Sequence, residues 1–186
     1  MEEHPILVYY KDTLKYNFPL ILFVGREPNT ENILNSKIDK FDFDDHPRCA
    51  FWNTAFGVVG YFEELNIREV KNKFRETKYS NIIFTDSLPK GIKNEIKDKY
   101  KIRELINDKE IEKHIENLSK LEILDRVNLI VLCGLEHKKF QYSVKLLKKL
   151  SVNKNIPIVE TKFLIGNNKQ KIIEDLKIYK ELITKK

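Results

Sequence analysis

The sequence predicts an α/β domain of three layers, a four-stranded, mainly parallel sheet with helices on both faces. Three observations carry this. Four short apolar runs are each closed by a turn and followed by helical material, the runs are too short to cross a membrane, and no Gly/Pro/Ser-rich linker or internal repeat divides the chain. At 186 residues the chain fits a single domain with a full core.

The first run, "PLILFVG" (19–25), ends at Gly25 and is followed at once by Arg26, Glu27 and Pro28. Glycine permits a sharp turn there and proline prevents the ladder from continuing, so Glu27 is carried out at the strand's carboxyl end. Residues 51–65, "FWNTAFGVVGYFEEL", are apolar all round and read as a buried helix. The second strand is "NIIFT" (81–85), and the segment 92–120 is lysine-rich and amphipathic. "NLIVLCG" (128–134) is the third strand, 136–150 a second lysine-rich amphipathic segment, and "IPIVET" (156–161) the fourth strand. The closing stretch places Ile172, Ile173, Leu176, Ile178, Tyr179, Leu182 and Ile183 at helical spacing, as a helix packing back on the sheet.

With 34 Lys plus Arg against 28 Asp plus Glu the formal charge is +6, a balance that favours polyanionic partners. Cys49 and Cys133 are far apart and form no CxxC pair, and His4, His46, His114 and His137 show no metal-ligand spacing. The expectation is therefore no metal and no cofactor, in a reducing, cytoplasmic setting. The opening "MEEHP" has no basic then apolar leader, and no membrane span is expected. There is no GxxxxGK and no GxGxxG, which argues against the commonest nucleotide enzymes.

In open α/β sheets ligands sit beyond the carboxyl ends of the strands. Here those ends carry "GREPN" (25–29), "TDSLP" (85–89), "GLEHKKF" (134–140) and "TKFLIGNNK" (161–169), which brings Glu27 and Asp86 toward one cleft.

These strand exits resemble those of the uracil-DNA glycosylase superfamily, nearest its mismatch-specific uracil/thymine branch. In that branch the first strand ends in Gly-x-Asn-Pro, with Asp for Asn elsewhere; the matching stretch is Gly25, Arg26, Glu27, Pro28. A loop Phe follows, then His-Pro, three residues and Phe-Trp opening a helix, matched by Phe43 and "HPRCAFW", His46 to Trp52. The strand "NLIVLCG", a final loop and a terminal helix fall in the same order, so the similarity covers about residues 15 to 184. Two features depart. The second motif, His-Pro-Ser or Asn-Pro-Ser after the last strand, is replaced by "VETKFLIGNN", and the four-cysteine cluster of the iron–sulfur branches is absent.

The resemblance implies a monofunctional DNA glycosylase, a monomer acting on DNA by base flipping; a non-catalytic DNA-binding relative is the alternative. Glu27 is then either a solvated turn carboxylate or the group that positions or deprotonates the water attacking the sugar C1′, where a negative charge stabilises an oxocarbenium-like transition state. Asp86 stands near where several branches place a base-reading Asn. It either caps its own turn or reads the base, and an ionised Asp only accepts, which suits the amino donor of a cytosine-type base better than uracil O4. Phe43 is a stacking platform for the flipped base or a lid on the core, and Asn29 joins the base-binding set. Phe51 and Trp52 pack the first helix. His46 is structural, and His137, placed one turn into a helix, either touches a phosphate or is solvated. In the last loop Leu164 or Ile165 supplies a wedge for the vacated stack, unless Leu164 belongs to the core. Gly166, Asn167, Asn168 and Lys169 face the backbone at a helix start, where anions are favoured.

Overall fold

The computed structural model describes residues 7, 20–26, 50–77, 80–89 and 106–183. Glu27, Asn29, Phe43 and His46 lie outside the described residues. The sheet has four strands, β1 (Leu20–Gly25), β2 (Ile82–Asp86), β3 (Val127–Cys133) and β4 (Ile158–Thr161), in the order β2-β1-β3-β4. Every pairing is parallel, with Gly25 opposite Asp86, Val24 opposite Leu132 and Cys133 opposite Thr161. The expected three-layer α/β/α architecture is what forms.

Alternating side chains of each strand feed two separate cores, as the pleat requires. On one face Ile21, Phe23, Ile82, Phe84, Leu129 and Val131 pack against α1 (Ala50–Phe62), α2 (Ile67–Thr77), α5 (Lys169–Leu176) and α6 (Lys180–Ile183). On the other, Leu20, Leu22, Val24, Ile83, Ile130 and Leu132 meet α3 (Asp108–Ser119) and α4 (Gln141–Lys154). Burial on both faces is why β1 and β3 read as unbroken apolar runs rather than alternating ones. Cys133 also lies in the first core, fully buried, where desolvation raises its thiol well above its usual pKa and leaves it inert.

The elements differ from the sequence reading in three places. Helix α1 stops at Phe62, where Glu64 takes a left-handed conformation with φ 58° and Leu65 N–H donates to Gly60 O at 2.8 Å. This frees the chain for α2, an unforeseen helix. It is announced by a capping box: Asn66 Oδ1 accepts from Glu69 N–H at 3.0 Å while Asn66 N–H donates to Glu69 Oε2 at 2.6 Å. Third, the terminal helix is not continuous. A 3-10 turn at Lys177–Tyr179 separates α5 from α6, and Ile178 within it is 83% exposed instead of facing the core.

The strand order places the site. The chain leaves β1 toward β2 on one side, and β3 is laid down on the other, so the topological switch point falls between the carboxyl ends of β1 and β3.

Candidate functional site at the strand carboxyl ends

Gly25 ends β1 with no side chain, and the neighbouring chains close in on it. A methyl group there would lie 2.7 Å from Asp86 Oδ1 and 3.3 Å from Phe51 Cζ. The Asp86 carboxylate therefore crosses from β2 to lie over the end of β1, beside the edge of Phe51. Two hydrogen bonds lock this junction: Ser87 N–H donates to Gly25 O at 2.9 Å and Ser87 Oγ donates to Arg26 O at 2.7 Å. The seryl side chain thus ties the "TDSLP" turn to β1.

Phe51, at the start of α1, links the two halves of the site. Its ring centroid lies 5.5 Å from that of Phe84 and 5.7 Å from that of Phe163, and Trp52 lies 6.0 Å from Phe84. Both residues pack the helix as expected, and Phe51 in addition sits between the end of β1 and Phe163 of the last loop.

Arg26 crosses β1 in the opposite direction to Asp86. Its Nε–H donates to Gly134 O at 2.8 Å, bridging the switch point, and its guanidinium lies 4.4 Å from the centre of the Phe163 ring. Gly134 has φ +68°, donates its N–H to Thr161 O at 2.8 Å, and runs so close to the last loop that an added Cβ would stand 2.5 Å from Phe163 Cβ. The loop is braced in turn: Asn168 Nδ2 donates to Phe163 O at 2.9 Å, and Ile165 N–H donates to the same carbonyl at 2.8 Å.

This geometry sorts the loop residues. Leu164 is fully buried among the core side chains that back α1, so it is not a wedge; a side chain held there is unavailable to a duplex. Ile165, 38% exposed, is the apolar side chain that projects. Gly166, with open space where a Cβ would be, Asn167 and Lys169 are exposed, whereas Asn168 is engaged in bracing the loop. Lys169 folds its side chain back over α1, with Nζ 3.3 Å from the position of a Gly57 Cβ. His137 is not inside a helix: it precedes the 3-10 turn Lys138–Phe140, and its Nδ1 accepts from Lys139 N–H at 3.3 Å.

His114, on α3, supports Asp86 from behind, its Nε2 2.8 Å from the Asp86 carbonyl oxygen. A carbonyl only accepts, so Nε2 carries the proton. Burial pushes the imidazole below its ordinary pKa, and the bond to the Asp86 carbonyl partly opposes that shift. A folded-state value below the unfolded one means that acid favours unfolding. Stability should fall as pH drops through the unfolded value of about 6.5 and level off below the folded value. Melting temperatures of the wild type and His114→Gln, compared between about pH 7.5 and about pH 5.5, are expected to show a steeper loss for the wild type. Superimposable pH profiles would exclude this linkage.

Arg26, Phe51, Phe163 and His114 are the site residues that the sequence reading did not single out for chemistry. Of the residues expected to converge, Asp86 lies over Gly25 beside Phe51 and Phe163 of the 161–169 loop packs on Phe51, while Glu27 and Phe43 lie outside the described residues. Among the described residues no group of three or more His, Cys, Asp or Glu is arranged to hold a metal ion, and no helix is long and apolar enough to cross a membrane. No family model, curated protein or solved structure matches the chain.

Proposed function

We propose that the protein is a monofunctional DNA glycosylase, which hydrolyses the N-glycosidic bond of a base flipped out of the helix, with a cytosine-type base preferred over uracil. The observation that carries the reading is the Asp86 carboxylate, laid over Gly25 beside Phe51 at the carboxyl end of the sheet, where open α/β folds bind ligands. An acceptor-only group at this position suits an exocyclic amino donor. The strand-exit resemblance supports the same reading and would assign Phe43 and Asn29 to the binding of the base.

In this mechanism Glu27, which directly follows Arg26, holds the attacking water. The water oxygen bonds to C1′ as the C1′–N bond breaks, the bonding pair leaves with the base, and the water proton passes to the Glu27 carboxylate. The negative charge offsets the oxocarbenium character of the transition state. No metal or cofactor is required, and no lysine takes a motif position suited to Schiff-base chemistry. The protein would act as a monomer, on intracellular DNA.

Two observations favour a second reading, a non-catalytic DNA-binding relative. The loop after β4 carries no His-Pro-Ser or Asn-Pro-Ser, and Leu164, one of its two wedge candidates, is in the core. Incubation with duplexes carrying modified cytosines, followed by alkaline cleavage at any abasic site, separates the two. Strand breaks at the modified position are expected; tight binding without breaks would favour the second reading.

A further inference from the structure

We infer that Arg26 is a phosphate receptor, with its terminal guanidinium nitrogens presented at the switch point to the phosphate group of a ligand. A guanidinium has five N–H donors in one plane. Here Nε–H is spent on Gly134 O at 2.8 Å, and one face of the plane rests on the Phe163 ring at 4.4 Å. Neither contact uses the Nη atoms, which have no hydrogen-bond partner among the described residues. The side chain is half-buried and held at two points, so its orientation is already fixed before a ligand arrives. Planar, bidentate donation is the geometry that matches phosphate oxygens.

The surrounding charges direct an anion to this place. Asp86 lies on the β2 side of β1, whereas Arg26 reaches to the β3 side. Across β3, Glu136 is already engaged by Lys162 at 3.7 Å. Arg26 thus forms no ion pair with a described carboxylate, and the acidic Asp86 and the basic Arg26 reach to opposite sides of the end of β1. A nucleotide carries both complements, amino-bearing base and anionic phosphate. The phosphate has two possible sources, a phosphodiester beside the extruded nucleotide or a free phosphate species; the inference takes the first, and for that it rests on the function proposed above.

The test uses the full chain with Arg26→Gln and Arg26→Lys, and Phe163→Leu as a variant that keeps the arginine while removing its stacking platform. Binding of a labelled duplex is followed by anisotropy across salt concentrations, and inorganic phosphate is titrated separately by NMR. Arg26→Gln is expected to weaken duplex binding about ten- to a hundredfold and to reduce the log–log salt slope by about 0.9, one phosphate contact. Arg26→Lys should retain the slope and lose part of the affinity, and Phe163→Leu should lose affinity with the slope intact. Inorganic phosphate binding that depends on Arg26, with duplex slopes unchanged, keeps the receptor but overturns the strand as its source. If Arg26→Gln, folded as judged by its melting curve, changes neither slope nor phosphate binding, Arg26 is only a latch and the inference fails. Base release that persists in that same variant would leave the glycosylase reading standing.

Discussion

Asp86→Asn is expected to shift preference from cytosine-type bases toward uracil by about ten- to a hundredfold, while Glu27→Gln lowers cleavage of every base alike. Asparagine has nearly the shape of aspartate, so it can occupy the same narrow space over Gly25 and beside Phe51. What changes is one acceptor oxygen into an NH₂ donor, which reverses the match to an exocyclic amino group and to O4. Mispairing one buried polar contact costs about 1–3 kcal/mol, the size of that reranking. In the proposed mechanism Glu27 acts on the water and the sugar, which all substrates share, so its loss should lower the rate and leave binding largely intact. Kinetics on paired substrates that differ only in the target base give both numbers. Equal losses on all bases from Asp86→Asn would make Asp86 part of the scaffold.

The second large effect is structural. Gly134→Ala is expected to destabilise the domain by roughly 2–5 kcal/mol, the sum of a left-handed alanine and an overpacked contact. The backbone there has φ +68°, and the nearest atoms to an added methyl are Phe163 Cβ at 2.5 Å and Phe163 Cα at 2.8 Å. These belong to a loop braced by Asn168 and cannot rotate away as a side-chain tip would. The same change should displace the carbonyl that receives Arg26. At about 2–4 °C per kcal/mol for a domain of this size, the shift is easily read in a melting curve. Gly166→Ala is the matched control: nothing lies within 4 Å of its added methyl, and it should stay within about 0.5 kcal/mol of the wild type. Similar melting temperatures for the two variants would contradict the packing argument.

The parts of the fold that were legible in the sequence are those whose burial is total. β1 and β3 are covered on both faces, so their composition alone marks them. Helix α2 was missed because, among its described side chains, only Val70 and Phe74 of "IREVKNKFRET" are buried, too sparse an apolar stripe to see. Its signal was the "NIRE" capping box. Ile178 is exposed because, at 3.6 residues per turn, it falls on the face opposite the buried Ile172, Leu176 and Ile183, so its place in the apolar spacing does not make it core.

For the site, the rule that ligands sit at strand carboxyl ends points to Glu27, Asp86 and the last loop, and of these Asp86 and Phe163 lie on either side of Phe51. Arg26 was passed over because its hydrogen-bond partner Gly134 is 108 residues away, and nothing local reveals that pairing. Leu164 and Ile165 differ by one position, and only the loop's hydrogen bonds decide that Leu164 turns inward and Ile165 outward.

The central claim is that the cleft at the carboxyl ends of β1, β2 and β3 removes a base from DNA. Its most direct test is mass-spectrometric detection of free bases released from DNAs carrying uracil, thymine mismatches, hypoxanthine and modified cytosines. The account predicts release of a cytosine-type base, diminished in Glu27→Gln and redirected toward uracil in Asp86→Asn. Release of no base from any of these DNAs, by wild-type protein that binds them, would contradict it.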